Sequence, residues 1–153
     1  MRCCAEPRQI LEIRPITWLL EHGTVVICAG GGGIPTVHPS SDPASLTGVE
    51  AVIDKDLAGE LLAEDVDADL FLMATDVDGV YLNWGTPEQR MLDRITPGEL
   101  ASHQFAAGSM GPKVEAAARL VAKTGHRAAI GSLADIPGIV AGTAGTNVIA
   151  QPT

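Results

Sequence analysis

A layered α/β protein, with a mostly parallel sheet and helices on its faces, is the fold predicted for this chain of 153 residues. Three observations carry the prediction. The composition is 46% hydrophobic but only 3% aromatic, so the core must be built from Ala, Val, Leu and Ile, and the 17 glycines suit layered packing better than a helical bundle. Short β-branched or apolar runs alternate with segments of helical period, the pattern of parallel strands joined by crossovers. Glycine-rich or acidic turns follow the apolar runs, where a parallel sheet binds its ligands at the carboxyl ends of its strands.

The elements follow in order. Residues 8–23 form a predicted helix with Ile10, Ile13, Ile16, Leu19 and Leu20 in helical register, Gly23 as its stop and Pro15 in the first turn, so the regular part starts after Arg8. Residues 24–29 read as a buried strand, followed by four glycines and the turn-rich HPSSDPASLTG. Asp54 or Asp56 opens a helix expected to bury Leu57, Leu61, Leu62 and Val66. Residues 69–74 (DLFLMA) are a second buried strand ending in TDVDGVY. An irregular stretch then carries a short helix over 97–103. A helix over 112–123 stops at Gly125, with Val114, Ala117, Leu120 and Val121 on its buried face. A third strand at 127–131, a short helix at 134–141 and a last strand at 147–150 complete the chain, which reads as a single domain over 1–153.

Charge and motif content exclude several function classes. The net charge is −9, which argues against a nucleic-acid or anionic-membrane surface, and no apolar run is long enough to span a membrane. Three cysteines, two of them adjacent, make neither a disulfide framework nor a zinc spacing. His22, His38, His103 and His126 stand apart from one another, so no metal ligand is assigned. These features predict a cytoplasmic protein without membrane or nucleic-acid partners.

The remaining candidates point toward phosphate. Gly30, Gly31, Gly32 and Gly33 lack the helix that a P-loop or dinucleotide fingerprint requires, but successive backbone N–H groups can form an anion-binding nest; a flexible surface loop is the competing reading. The chain has only three lysines. Lys55 and Lys113 each fall in the first turn of a predicted helix, against the helix dipole, whereas Lys123 sits at a C-terminus where the dipole favours it. A helix N-terminus with a lysine beside it is a receptacle for anionic oxygens. For Lys55, a solvated lysine paired with Asp54 or Asp56 is an equal reading. TDVDGVY lacks the ligands of a calcium loop. It suits an acidic turn that bonds a ribose or base, with Tyr81 as a flat face, or a turn in which Asp bonds only backbone.

In sequence order, AGGGGIP, GVEAVIDKDLA, TDVDGVYLNWGTPEQ, FAAGSMGPKVEAAARLV, AAIGSL and AGTAGT resemble the C-terminal half of the carbamate kinases of the amino acid kinase family. The resemblance implies a three-layer α/β/α sandwich truncated on its N-terminal side, and phosphoryl transfer between ATP and carbamate with ADP and carbamoyl phosphate as the other pair. By similarity, Lys55 and Lys113 lie on the transferred phosphoryl group and Asp56 organises them. Thr75, Asp76, Val77, Tyr81 and Met110, with Lys113, form the nucleotide pocket. Gly30 to Gly33 line the phosphate and acceptor path, and Mg2+ bridges the nucleotide phosphates. A homodimer, or association with a missing N-terminal half, follows as the expected assembly. The alternatives are a non-catalytic ADP- or ATP-binding remnant, one piece of a split kinase, or another acyl or nucleotide kinase of the same superfamily.

Overall fold

The structure is a computed structural model describing residues 5–42, 44–103, 105 and 110–151. The chain separates into two compact units, Met1–Leu62 and Ala63–Thr153, with the boundary inside one helix.

The first unit holds α1 (Ile13–Glu21), a two-residue hairpin of β1 (Thr36–Val37) and β2 (Thr47–Gly48), and the start of α2 (Lys55–Asp65). α1 begins two residues before Pro15, whose missing N–H costs nothing in a first turn, and stops where Gly23 takes a left-handed φ of 72°. Of its apolar stripe only Ile16 is buried. The predicted strand at 24–29 is not paired into any sheet: Val25 and Ile27 are 90% and 98% exposed, while Val26 and Cys28 between them are half-buried. The alternation is that of a strand, but a strand exists only by pairing, and among the described residues nothing pairs with it. The glycine run therefore follows an unpaired segment rather than a sheet strand.

The second unit is built on a four-stranded sheet of β3 (Leu70–Thr75), β6 (Arg94–Ile95), β7 (Arg127–Ser132) and β8 (Thr146–Val148), in the order β3-β7-β8-β6. β3 runs parallel to β7 and β6 parallel to β8, whereas β7 and β8 are antiparallel, so the sheet is mixed. A separate hairpin pairs β4 (Tyr81–Leu82) with β5 (Arg90–Met91). α3 (Pro97–Ala101) packs on α4 (Met110–Thr124), α4 packs on β7, and α5 (Ile136–Ala141) packs on β7 and β3. Four consecutive β7 residues, Ala128 to Gly131, are buried, which requires cover on both faces of the strand. Val114, Ala117, Leu120 and Val121 of α4 are all buried, as the helical register predicts.

α2 departs from its predicted face. Leu57, Leu61, Leu62 and Val66 are only half-buried, and the fully buried positions are Asp56, Ala58, Glu60 and Ala63. A helix whose buried stripe carries two carboxylates is not placed by hydrophobic burial alone, because buried charge is stable only when paired and hydrogen-bonded.

Candidate active site

The candidate residues sit at two helix N-termini, one glycine turn and one loop. At the start of α2, Asp54 caps the helix: its Oδ1 accepts hydrogen bonds from the N–H groups of Asp56 at 2.8 Å and Leu57 at 3.2 Å. Lys55 is the first helical residue. Its Nζ lies 3.7 Å from Oδ2 of Asp56, with the lysine side chain 64% exposed and the aspartate side chain 9% exposed. A buried carboxylate thus steers a solvent-facing cation, an arrangement that suits both a local pair and an ammonium held ready for an anion.

The glycine turn is tightly wound. Ala29, Gly30, Gly32 and Gly33 all have positive φ, and the N–H groups of Gly30 and Gly32 donate to Cys28 O at 2.8 Å and Ala29 O at 3.0 Å. Those two donors are spent on the turn itself. Among the described residues, the N–H groups of Gly31 and Gly33 have no hydrogen-bond partner. Gly32 is buried, and a Cβ there would lie 2.6 Å from the carbonyl oxygen of Ile53, the residue before the Asp54 cap. The closest approach in this loop is therefore made by its own chain.

In the second unit, TDVDGVY leaves the carboxyl end of β3. Thr75 donates its hydroxyl to Oδ1 of Asp76 at 3.1 Å, Asp76 is exposed and Val77 half-buried. Val80 is fully buried, its N–H donating to the Thr146 hydroxyl at 2.8 Å, and the same hydroxyl donates to Leu92 O. Tyr81 meets Trp84 edge-on, ring centroids 5.0 Å apart. Gly125 leads α4 directly into β7, on which α4 packs, so α4 runs back along the strand and its N-terminus lies toward the carboxyl edge. Met110 opens α4 and Lys113 stands one turn in, its side chain among the buried charged groups at 7% exposure. A groove of about 440 Å³ between α3 and α4 is lined by Pro97, Leu100, Gly111, Pro112 and Val114 among others, and Lys113 is not part of its lining.

The three lysines thus occupy three environments. Lys55 is exposed at a helix start, Lys113 is buried in a first turn, and Lys123 in the last turn of α4 forms an ion pair with Glu64 at 2.6 Å. Thr75, Asp76, Val77, Tyr81, Met110 and Lys113 lie in one unit; Lys55, Asp56 and the glycines belong to the other. Two neighbours escaped the sequence reading. Glu60, 1% exposed, lies four residues after Asp56, and the helical period puts both on one face. Trp84 stands three residues after Tyr81, a spacing that carries no signal until the hairpin is known.

A mixed sheet with helices packed on it, and acidic and lysine-bearing turns near its carboxyl edge, defines a layered α/β protein. Residues 4–132 match the amino acid kinase family, and the chain belongs to that family. It is 56% identical over 140 residues to the carbamate kinase of Rhizobium meliloti (strain 1021), covering 92% of this chain and 43% of that protein. It is 45% identical over 150 residues to the carbamate kinase of Thermococcus kodakarensis, covering 95% of this chain and 47% of that one. Among solved structures, the carbamate kinase from Giardia lamblia bound to AMP-PNP superposes with a TM-score of 0.91 at 38% identity, over 97% of this chain and 52% of that one. The chain therefore spans about half the length of the relatives it matches.

Proposed function

We propose that this chain is the nucleotide-binding lobe, as a single functional domain, of a carbamate kinase: a phosphotransferase that interconverts ATP plus carbamate with ADP plus carbamoyl phosphate. The observation that carries the reading is the buried Lys113 in the first turn of α4, in the same unit as the TDVDGVY loop and within a segment shared with carbamate kinases. A helix start with a lysine beside it is a receptacle for anionic oxygens, and a phosphoryl group presents them.

In phosphoryl transfer the protein positions the reactants and neutralises charge on the equatorial oxygens. Lys55 and Lys113 supply compact positive charge to those oxygens. Asp56, within 3.7 Å of Lys55, sets the ammonium's position. Thr75, Asp76, Val77, Tyr81 and Met110 hold the nucleoside. Gly30 to Gly33 line the phosphate and acceptor path, the N–H groups of Gly31 and Gly33 facing the anion. Mg2+ enters on the nucleotide phosphates, as part of the substrate. The protein acts in the cytoplasm, as a homodimer or joined to the half of the kinase that it does not itself match.

Its coverage of only 43–47% of the curated relatives' lengths favours a second reading, a nucleotide-binding piece that is not catalytic by itself. Calorimetric titration of Mg-ADP into the chain, with an assay for ATP formed from ADP and carbamoyl phosphate, tests both. Saturable ADP binding that weakens at least tenfold in Lys113→Ala supports the nucleotide lobe, and ATP formation by the chain alone rejects the non-catalytic reading. In an active assembly, Lys113→Ala lowers the rate by about two to three decades, the cost of losing one preorganised charge-stabilising donor. A folded chain that binds no ADP rejects both readings.

A further inference from the structure

The interior of TDVDGVY is held only from its ends. Among the described residues, the backbone groups of Val77, Asp78 and Gly79 make no hydrogen bond. One end leaves β3, where Thr75 pairs with Ser132 of β7. At the other end, the buried N–H of Val80 donates to the Thr146 hydroxyl at 2.8 Å, and that hydroxyl donates in turn to Leu92 O. Thr146 is itself fixed. It has no exposed surface, it pairs with Ile130 of β7, and the N–H of the next residue, Asn147, donates to Asp93 O at 2.7 Å. Two glycines make room for this contact. A Cβ on Gly79 would lie 2.8 Å from the Thr146 hydroxyl oxygen, and one on Gly131 would lie 3.2 Å from Asp78 O. The loop thus rests against the ends of β7 and β8 at distances that added side chains would strain.

We infer that Thr146 is a positioning residue for nucleotide binding: from β8 it fixes the outgoing end of TDVDGVY, and so the place of Tyr81, before the nucleotide arrives. The inference deepens the proposed function and rests on the reading of TDVDGVY as the nucleoside loop. Thr146 can act only through that loop, since its side chain is fully buried and both of its hydroxyl hydrogen bonds are to the chain itself. A loop whose interior makes no bonds of its own loses conformational freedom when it closes on a ligand, and that loss is paid in affinity. An anchor already in place removes part of the cost. Val80 immediately precedes Tyr81, so any shift of its peptide is passed directly to the tyrosine. Thr146→Val keeps the side-chain shape but strands the Val80 N–H and Leu92 O in a buried place. The Val80 peptide regains a partner only by moving, and the loop moves with it. A threonine that served stability alone would, on the same change, leave the affinity of the folded chain as it was.

The test titrates Mg-ADP by calorimetry into the full chain and its variants, at a temperature where melting curves show each of them folded. Thr146→Val is expected to weaken binding at least about tenfold, and Thr146→Ser, which restores the hydroxyl, to stay within about threefold of the unmutated chain. Thr124→Ala is the stability control. The Thr124 hydroxyl accepts from the His126 N–H and donates to Leu120 O at the far end of α4, so its loss lowers the melting temperature and leaves the affinity unchanged. Amide exchange of the unmutated chain gives a readout that needs no variant: Val80 is protected before ADP is added, whereas Val77, Asp78 and Gly79 become protected only with it. Unchanged affinity in Thr146→Val, an equal loss in Thr124→Ala, or a Val80 amide that exchanges as fast as its neighbours until ADP binds each overturns the inference. If the unmutated chain binds no Mg-ADP, the proposed function falls and this inference with it. If it binds and Thr146→Val binds equally well, only this inference falls.

Discussion

Gly31 and Gly32 are neighbours in one turn, yet a methyl group meets a different situation at each. Gly32 has φ 127° and its Cβ would sit 2.6 Å from a backbone oxygen that cannot yield cheaply. Gly31 has no positive φ and nothing within 4 Å of the added atom. Gly32→Ala is expected to destabilise the first unit by about 1–3 kcal/mol through strain and overpacking. Gly31→Ala should be within about 0.5 kcal/mol of neutral, as surface changes usually are. Thermal melts of the two variants check the pair, and equal melting temperatures would refute the account. Only Gly31→Ala is then a clean probe of whether this loop holds an anion: titration with Mg-ADP should show weakened binding at unchanged stability. The run of glycines announced a special backbone in the sequence, but which glycine serves the fold and which faces outward depends on where Ile53 lies, and no local pattern records that.

At the scale of elements, long-range polar links fasten the pieces that hydrophobic register leaves loose. The Thr146 hydroxyl on β8 accepts from the buried N–H of Val80 and donates to Leu92 O, joining both sides of the β4–β5 hairpin to the sheet. Thr146→Val keeps the shape but strands a buried donor and acceptor, so a loss of about 1–3 kcal/mol is expected, with Thr146→Ser recovering most of it. Denaturant midpoints measure this, and a Val variant as stable as the parent would reject it.

α3 offers a pH test. Thr96 and Glu99 form a capping box: the Glu99 carboxylate accepts from the Thr96 N–H and hydroxyl, each at 2.8 Å. The backbone hydrogen bond, then the hydroxyl, holds the Glu99 pKa below the usual carboxylate value. A lowered folded-state pKa means the cap's contribution is complete above the unfolded carboxylate pKa and is lost as pH falls through the folded one. A carbon-detected NMR titration should place Glu99 below the ordinary Glu midpoint of about 4.3. A midpoint at or above it would contradict the capping geometry.

These elements also show what the sequence could and could not reveal. β3, β7, α3 and α4 were legible because their period, caps and stops agree locally. The antiparallel placement of β8, the two-residue strands and the unpaired residues 24–29 were not, because pairing is decided by partners distant in sequence. Lys113 was legible as a lysine out of place against the dipole, whereas its burial, and that of Glu60, belongs to packing.

Across the whole molecule, apolar burial is divided so unevenly that stability must be divided too. Opening free energy tracks buried apolar packing, and among the described residues the second unit holds 17 of the 19 buried hydrophobic ones. β7 is the extreme: Ala128, Ala129 and Ile130 have no exposed surface, and the strand pairs on one side with β3 and on the other with β8. Native-state hydrogen exchange of the chain alone should therefore show a gradient, with β7 and the buried face of α4 exchanging only through global opening of the second unit. The amides of β1, β2 and residues 24–29 should exchange orders of magnitude faster, through openings that leave β7 protected. Low denaturant should release the first unit's amides first, while the amides of β7 keep their protection. Uniform protection across both units would mean that Ile16 and Ala58 anchor the first unit far better than their small buried area allows.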